Sequence, residues 1–330
     1  MDFLLIDLLG KPVWTWFAFV AAVGLLLAFD LGVLHRKSHA IGVKESLGLS
    51  AFYIAIGTGF GGIIWLWMGS TAAAEYLTGF VVEKSLAMDN IFVIAMVFSY
   101  FAIPAAYQHR VLVYGILGVL ILRGLMIAAG SAIITEFSWV LYLFAGFLVL
   151  TGIRMLFTAE KPHQVGESRA VQFVTRHLNM TQELHGEKFF VRQPDGQGRL
   201  RLFATPLFGA LIMVELADLV FAVDSIPAIF AITTDPYLVL TSNVFAILGL
   251  RALYFALAAM VERFVYLKYA LAAVLIFIGS KIFVADMLGL AKIPPLVSLT
   301  VTLGILAIGI LGSLWKTRNV KERTEVGGGA

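Results

Sequence analysis

Nine separate stretches of this 330-residue chain run predominantly apolar for about twenty residues or more, and that feature decides which solvent the chain folds in. A hydrocarbon core about 30 Å thick takes roughly 20 apolar residues per helix. Inside lipid the backbone must satisfy its own hydrogen bonds, which a helix does within one segment. The stretches cover 13–34, 46–69, 75–101, 110–134, 137–157, 204–231, 237–258, 264–288 and 293–315, with edges blurred by a few residues. Charged residues make up 14% of the chain and apolar residues 60%, whereas a soluble domain is about a quarter charged. Too little polar surface is available to coat a globule in water. The expected fold class is an all-α polytopic membrane protein with about nine transmembrane helices.

Other classes fall away quickly. A net charge of +3 with no basic stripe gives no reason to expect nucleic acid. With no cysteine at all, disulfides, thiolate metal sites and thiol nucleophiles are excluded together. No HExxH motif and no histidine inside a span are present to build a hydrolytic centre, so an enzyme is not expected. The first ten residues hold Asp2 and Asp7 and no Lys or Arg, unlike a cleaved signal. Loop charges then orient the chain. Of the nineteen Lys and Arg outside the spans, all but Lys11 and Lys292 fall on one side when nine spans are threaded. The positive side faces the cytoplasm. This predicts an outer N-terminus, with the 158–203 loop and the C-terminus in the cytoplasm of a bacterial inner-membrane protein.

The second half repeats the first. Two acids six residues apart, the second followed by an amide or hydroxyl, recur as Glu83…Asp89-Asn90 and Asp218…Asp224-Ser225. Downstream, Leu122-Arg123-Gly124-Leu125 matches Leu250-Arg251-Ala252-Leu253, and Phe137…Gly152 matches Phe264…Gly279. Three matches in the same order define two three-helix repeats. Their first helices cross the membrane in opposite senses, the inverted arrangement in which transporters hold a substrate near the midplane. The chain divides accordingly into 1–74 (two helices), 75–157 (first repeat), 158–203 (loop), 204–288 (second repeat) and 289–330 (ninth helix and tail).

The repeats carry five acids at membrane depth: Glu83, Asp89, Glu215, Asp218 and Asp224. Facing lipid they would together cost on the order of 12–15 kcal/mol, so they must face protein or a wet cavity. Arg123, Arg251 and Lys84 are candidate charge partners, with Arg154 and Lys281 behind them, and one reading is that these pairs are purely structural. A buried pair is no better than packed apolar residues, however, which leaves its duplication unexplained. Asn90 and Ser225 add neutral oxygen ligands. Carboxylate, amide and hydroxyl oxygens suit a hard divalent cation such as Mg²⁺, Ca²⁺ or Mn²⁺, and protons are the natural counter-ion. All six histidines (35, 39, 109, 163, 177 and 185) lie in loops or at span ends. Asp89 and Asp224 sit about 120° around the helix from Glu83 and Asp218. Convergence on one ion therefore requires local unwinding or a broad cavity, and Pro227 either kinks the helix or frees a carbonyl to bind a cation.

The segments 79–90 (GFVVEKSLAMDN), 110–115 (RVLVYG), 214–228 (VELADLVFAVDSIPA) and 240–254 (LTSNVFAILGLRALY) resemble the TerC family, most of all its Alx-type branch, within the wider LysE-like group of cation exporters. The resemblance covers most of the chain. It implies a secondary transporter that exports Mn²⁺, with Glu83, Asp89, Glu215, Asp218 and Asp224 corresponding to the family's acidic transport residues and no permanently bound cofactor. The competing reading is a membrane scaffold of a metal or tellurite stress response, its acids serving only as ion pairs. Protein partners are not legible. Gly57, Gly59, Gly61 and Gly62 suggest close helix packing, the six tryptophans near span ends an aromatic belt, and 166–185 an amphipathic helix in the loop.

Overall fold

A computed structural model describes residues 6–32, 43–157, 178–194, 199–258, 266–290 and 293–327. A two-residue hairpin, β1 (Asp7–Leu8) with β2 (Lys11–Pro12), precedes the first helix. The helices are α1 (Val13–Gly32), α2 (Val43–Met68), α3 (Ser70–Tyr100), α4 (Ala105–Glu136) and α5 (Val140–Phe157). A second antiparallel hairpin follows, β3 (Phe190–Pro194) with β4 (Leu200–Ala204). Then come α6 (Pro206–Phe230), α7 (Pro236–Leu248), α8 (Leu250–Ala258), α9 (Leu267–Met287) and α10 (Pro295–Gly327).

Among the described residues, seven helical segments are long and apolar enough to cross a membrane, with α7 and α8 together forming one of them. Two of the nine expected spans fall outside that group for different reasons. α1 runs for 20 residues, Val13–Gly32, and its described apolar stretch is Val13–Phe29. The 31-residue α3 is about 46 Å long at 1.5 Å per residue, but Glu75, Glu83, Lys84 and Asp89 lower its hydropathy. Apolar side chains cover the outside of the bundle as well as its inside: Leu66, Ile121, Leu125, Leu150 and Ile308 are all exposed. That pattern belongs to a protein whose surroundings are lipid. Trp14, Trp65, Trp67 and Trp139 lie exposed at one end of the bundle and Trp315 towards the other, as interfacial anchors do.

Local chemistry explains the helix ends. Gly69, at φ 90°, makes the one-residue turn between α2 and α3 that an L side chain would strain. The Asp235 carboxylate accepts the amides of Tyr237 (3.0 Å) and Leu238 (3.4 Å), and Pro236 occupies the first position of α7. Asp235 also holds Lys11 at 2.9 Å, which ties the N-terminal hairpin to α7. The span expected at 237–258 is two helices meeting at Gly249. A Cβ there would come within 2.8 Å of Lys84 Nζ and of Tyr53 Cβ, so the close approach of α2 and α3 requires glycine at the break.

The buried core has three main regions. Phe19, Tyr53, Tyr76, Phe80 and Phe245 fill the space between α1, α2, α3 and α7. Ile94, Phe98, Leu112, Leu207 and Tyr254 join α3, α4, α6 and α8, and Val82, Leu271, Ile278 and Leu306 join α3, α9 and α10. Of the α2 glycines, Gly57 and Gly61 face Phe80 and Leu77 of α3, while Gly59 and Gly62 face open space; one turn of spacing puts the first two on one face. The tightest crossing is α5 on α9. A Cβ on Gly152 would lie 2.8 Å from the Ala272 carbonyl, and one on Gly279 would lie 2.6 Å from the Ala145 carbonyl.

The long loop, expected as a loop or small extramembrane subdomain with a turn signal at 193–198, holds the β3–β4 hairpin, whose turn at 195–198 lies outside the described residues. The helix expected over 166–185 falls partly outside them too. Its described part, 178–185, is irregular and anchored by backbone bonds instead: Ala204 donates to Asn179 (2.9 Å) and Thr181 to Ala204 (2.9 Å).

Candidate ion site in the helix bundle

Glu83 lies thirteen residues into α3, about 20 Å from its start, and is completely buried. Facing it are Arg123 of α4 and Asp218 of α6, also buried. The guanidinium is fully engaged. Its Nε and Nη2 grip both oxygens of Asp218 at 3.0 and 2.8 Å, a bidentate pair of the strongest kind. Its Nη1 donates to Glu83, to Ser225 Oγ (3.2 Å) and to Asn243 Oδ1 (3.4 Å). Asn90 Nδ2 reaches Asp218 at 3.5 Å, and Ser225 Oγ shares the Arg123 Nη1 donor with Glu83. Each acid of one half thus lies in one cluster with the neutral ligand of the other.

The four described acids, Glu83, Glu215, Asp218 and Asp224, do not converge on one point. Among the described residues, no three His, Asp or Glu side chains gather into a ready-made metal nest. The cause is helical geometry. α6 continues through Pro227 to Phe230 without unwinding, so its acids keep their angular separation. Asp218 points at Arg123. Asp224 points into a cavity of about 370 Å³, where Thr151 bonds it and Arg154 lies opposite. Glu215 points the other way, against Gly115 and Gly118 of α4. Both its oxygens are buried, and neither has a hydrogen-bond partner among the described residues. Glu83 Oε2 is likewise without one. Asp89 belongs to α3, but its side chain lies outside the described residues.

The three expected charge partners also separate. Arg123 sits at the centre. Lys84, one residue and therefore about 100° round from Glu83, faces away from the acids and donates to the Ala246 carbonyl at 2.9 Å. Its ammonium closes the end of α7, where unpaired carbonyls favour a cation. Arg251 is buried in α8, which packs on α2 and α3. Two contributors escape a reading based on charge alone. Asn243 is fully buried and completes the Arg123 shell; an amide in the otherwise apolar run of α7 was the available signal. Thr151 precedes Arg154 by three residues, on the same face of α5.

The cavity links these groups. Glu83, Asn90, Arg123, Arg154, Asp224 and Ser225 line it, with Leu86, Phe147 and Leu275 among its apolar walls. Its volume exceeds many times the roughly 30 Å³ share of one water, so a partly hydrated ion fits. Of the described acids, Glu83 and Asp224 border the cavity, while Asp218 and Glu215 are not part of its lining.

Comparison with known proteins agrees with this architecture. Residues 68–321 match the integral membrane protein TerC family. An uncharacterized membrane protein of Rickettsia bellii is 47% identical over 309 residues, covering 94% of this chain and 99% of that one. A protein of Salmonella typhi named putative membrane-bound redox modulator Alx is 45% identical over 315 residues, covering 93% of this chain and 95% of its own. No solved structure matches the chain significantly. The family match spans most of the length and the relatives are named as bacterial membrane proteins: the chain belongs to the TerC family of integral membrane proteins.

Proposed function

We propose that this protein is a secondary transporter that carries Mn²⁺ out of the cytoplasm in exchange for protons. The observation that carries the reading is the midmembrane cavity with its oxygen ligands. Glu83 Oε2, Asp224, Asn90 and Ser225 offer carboxylate, amide and hydroxyl oxygens, the donor set of a hard divalent cation. Charge supports it. Glu83, Asp218 and Asp224, set against Arg123 and Arg154, leave a formal surplus of negative charge when all are ionised. A cation or protons can neutralise that surplus in turn, as an exchange requires. Arg123 acts as the competing cation: while it grips Glu83 and Asp218 it orders them, and an entering ion displaces it from Glu83 first.

The paired contacts support inverted repeats and, with them, nine spans, an outer N-terminus and a cytoplasmic hairpin. Glu83 and Ser225 share the Arg123 Nη1 donor, and Asp218 meets Asn90. Gly152 and Gly279 each meet the carbonyl of the residue seven positions before the other glycine. A two-fold axis in the membrane plane relates both exchanges, and two such halves rocking about a shared site give alternating access.

The chain is not an enzyme, in keeping with its family. The relatives' printed name speaks of redox modulation. With no cysteine, this chain has no thiol–disulfide route to such a role, whereas metal export would alter redox balance indirectly. A scaffold with structural ion pairs is favoured by one observation, the saturated Arg123. Cellular metal content under manganese excess separates the two. Expression lowers cell manganese and leaves magnesium and calcium unchanged if the protein exports Mn²⁺; unchanged manganese rejects export.

A further inference from the structure

The β3–β4 hairpin carries a feature the transport site does not use. Strand alternation puts Phe190, Arg192, Pro194, Leu200 and Leu202 on one face and Val191, Gln193, Arg201 and Phe203 on the other. The second face turns towards the body of the protein: Val191, Gln193 and Phe203 are half-buried, and the Gln193 amide meets His185 at 2.8 Å. The first face is exposed except at Ala204, which is buried. Phe190 is 44%, Leu202 59% and Leu200 72% exposed, an arrangement a water-facing hairpin avoids.

The hairpin is held rigidly where a bilayer surface would be. A single residue, Thr205, separates β4 from α6. The Thr205 amide donates to the Phe189 carbonyl (2.9 Å) and its hydroxyl to Lys188 (2.7 Å). Aromatic contacts then join the exposed face to the lipid-facing surface. The Phe190 ring packs 4.4 Å from that of Phe208, in the first turn of α6. Phe208 lies three turns before exposed Leu219 on the same stripe. Phe189 stacks edge-on with Tyr114 at 5.2 Å, which begins the exposed α4 stripe of Leu117, Ile121 and Leu125. Arg110 fixes Phe189 from above, 5.2 Å over its ring, while paired to Glu187. Among the described residues, the exposed charges on the strands and directly before β4, Arg192, Arg199 and Arg201, are positive.

We propose that this hairpin is a membrane-docking element: Phe190, Leu200 and Leu202 enter the headgroup–acyl boundary beside α4 and α6, and Arg192 and Arg199 bind anionic lipid phosphates. Apolar faces of interfacial elements lie about 5–10 Å into that boundary, a depth the first side chains beyond a helix end reach. The inference does not depend on the transport reading, and its failure leaves that reading intact.

The absence of cysteine makes the test direct. Leu202→Cys and, separately, Arg201→Cys are labelled with bimane in the full-length protein, one copy per nanodisc, in phosphatidylcholine with and without phosphatidylglycerol. A shallow lipid nitroxide should quench position 202 several-fold more than its neighbour 201, and acrylamide should do the reverse. Leu200→Cys repeats the result should position 202 perturb folding. Each arginine near an anionic surface is worth about fivefold in the docking equilibrium. Adding Arg192→Gln and Arg199→Gln should therefore shift it by roughly 25-fold towards water in the anionic discs, seen as a gain in acrylamide quenching. Equal quenching at 201 and 202 overturns the proposal. So does protection of 202 from both quenchers, because a protein surface would then cover the face.

Discussion

Arg123 is the side chain whose removal has the most calculable consequence. It makes five hydrogen bonds, two to Asp218 and one each to Glu83, Ser225 and Asn243. Arg123→Gln removes the charge and most of the donors, stranding two carboxylates against each other in a region where Glu83 has no solvent contact. Breaking a buried pair by removing one partner costs about 3–5 kcal/mol. With two acids stranded, the upper end of that range applies. Neutralising all three positions, as Arg123→Gln with Glu83→Gln and Asp218→Asn, removes the stranded charges and should bring the loss back to about 2 kcal/mol or less. Reversible unfolding by SDS in mixed micelles, followed by tryptophan fluorescence, reads both values. An Arg123→Gln protein within about 1 kcal/mol of the parent, or a triple variant no more stable than the single one, would refute the reasoning.

Further consequences follow from the glycines and from coupling. A Cβ on Gly118 would lie 2.5 Å from the Glu215 carboxyl carbon, while one on Gly124 meets nothing within 4 Å. Gly118→Ala should therefore cost about 1–3 kcal/mol by overpacking, and Gly124→Ala on the same helix should be neutral or stabilising; equal effects in the same SDS assay would remove the notch around Glu215. At the α5–α9 crossing, Gly152→Ala and Gly279→Ala should cost similar amounts, about 1–3 kcal/mol each, and the double variant less than their sum. Markedly unequal losses would count against two-fold related packing. For proteoliposomes loaded with Mn²⁺, an acid exterior should speed release in a proton-exchanging protein and an alkaline exterior slow it; rates indifferent to the gradient's sign would eliminate the exchange.

Much of the architecture can be read from the sequence because lipid imposes one rule along the whole chain. Long apolar runs must be helices, and α4, α5, α6 and α9 lie close to where apolar length alone puts them. The break at Gly249 is not legible in that way. Its cause is Tyr53 and Lys84, residues remote in sequence that crowd one backbone position. The β3–β4 hairpin escapes for a different reason: with leucine and arginine alternating, its pattern is that of a strand, but its exposed face is apolar, which makes sense only beside a membrane. Within the site, angular arithmetic predicts that Asp224 diverges from Asp218, and α6 stays helical, so it does. What spacing along single helices cannot reveal is who meets whom across helices. The choice of Arg123 over Lys84 as partner for Glu83, and the recruitment of Asn243, depend on the packing of α3, α4, α6 and α7 together.

Export through the cavity is tested most directly by flux of Mn²⁺ into proteoliposomes, comparing the parent chain with Asp224→Asn. Asp224 borders the cavity and lies outside the Arg123 cluster, so its amide should leave the fold intact while removing one charged ligand. The account predicts rapid Mn²⁺ flux in the parent and a loss of roughly tenfold or more in the variant, the effect of about 1.4 kcal/mol. Parent vesicles no faster than protein-free ones, or a variant at the parental rate, would contradict it.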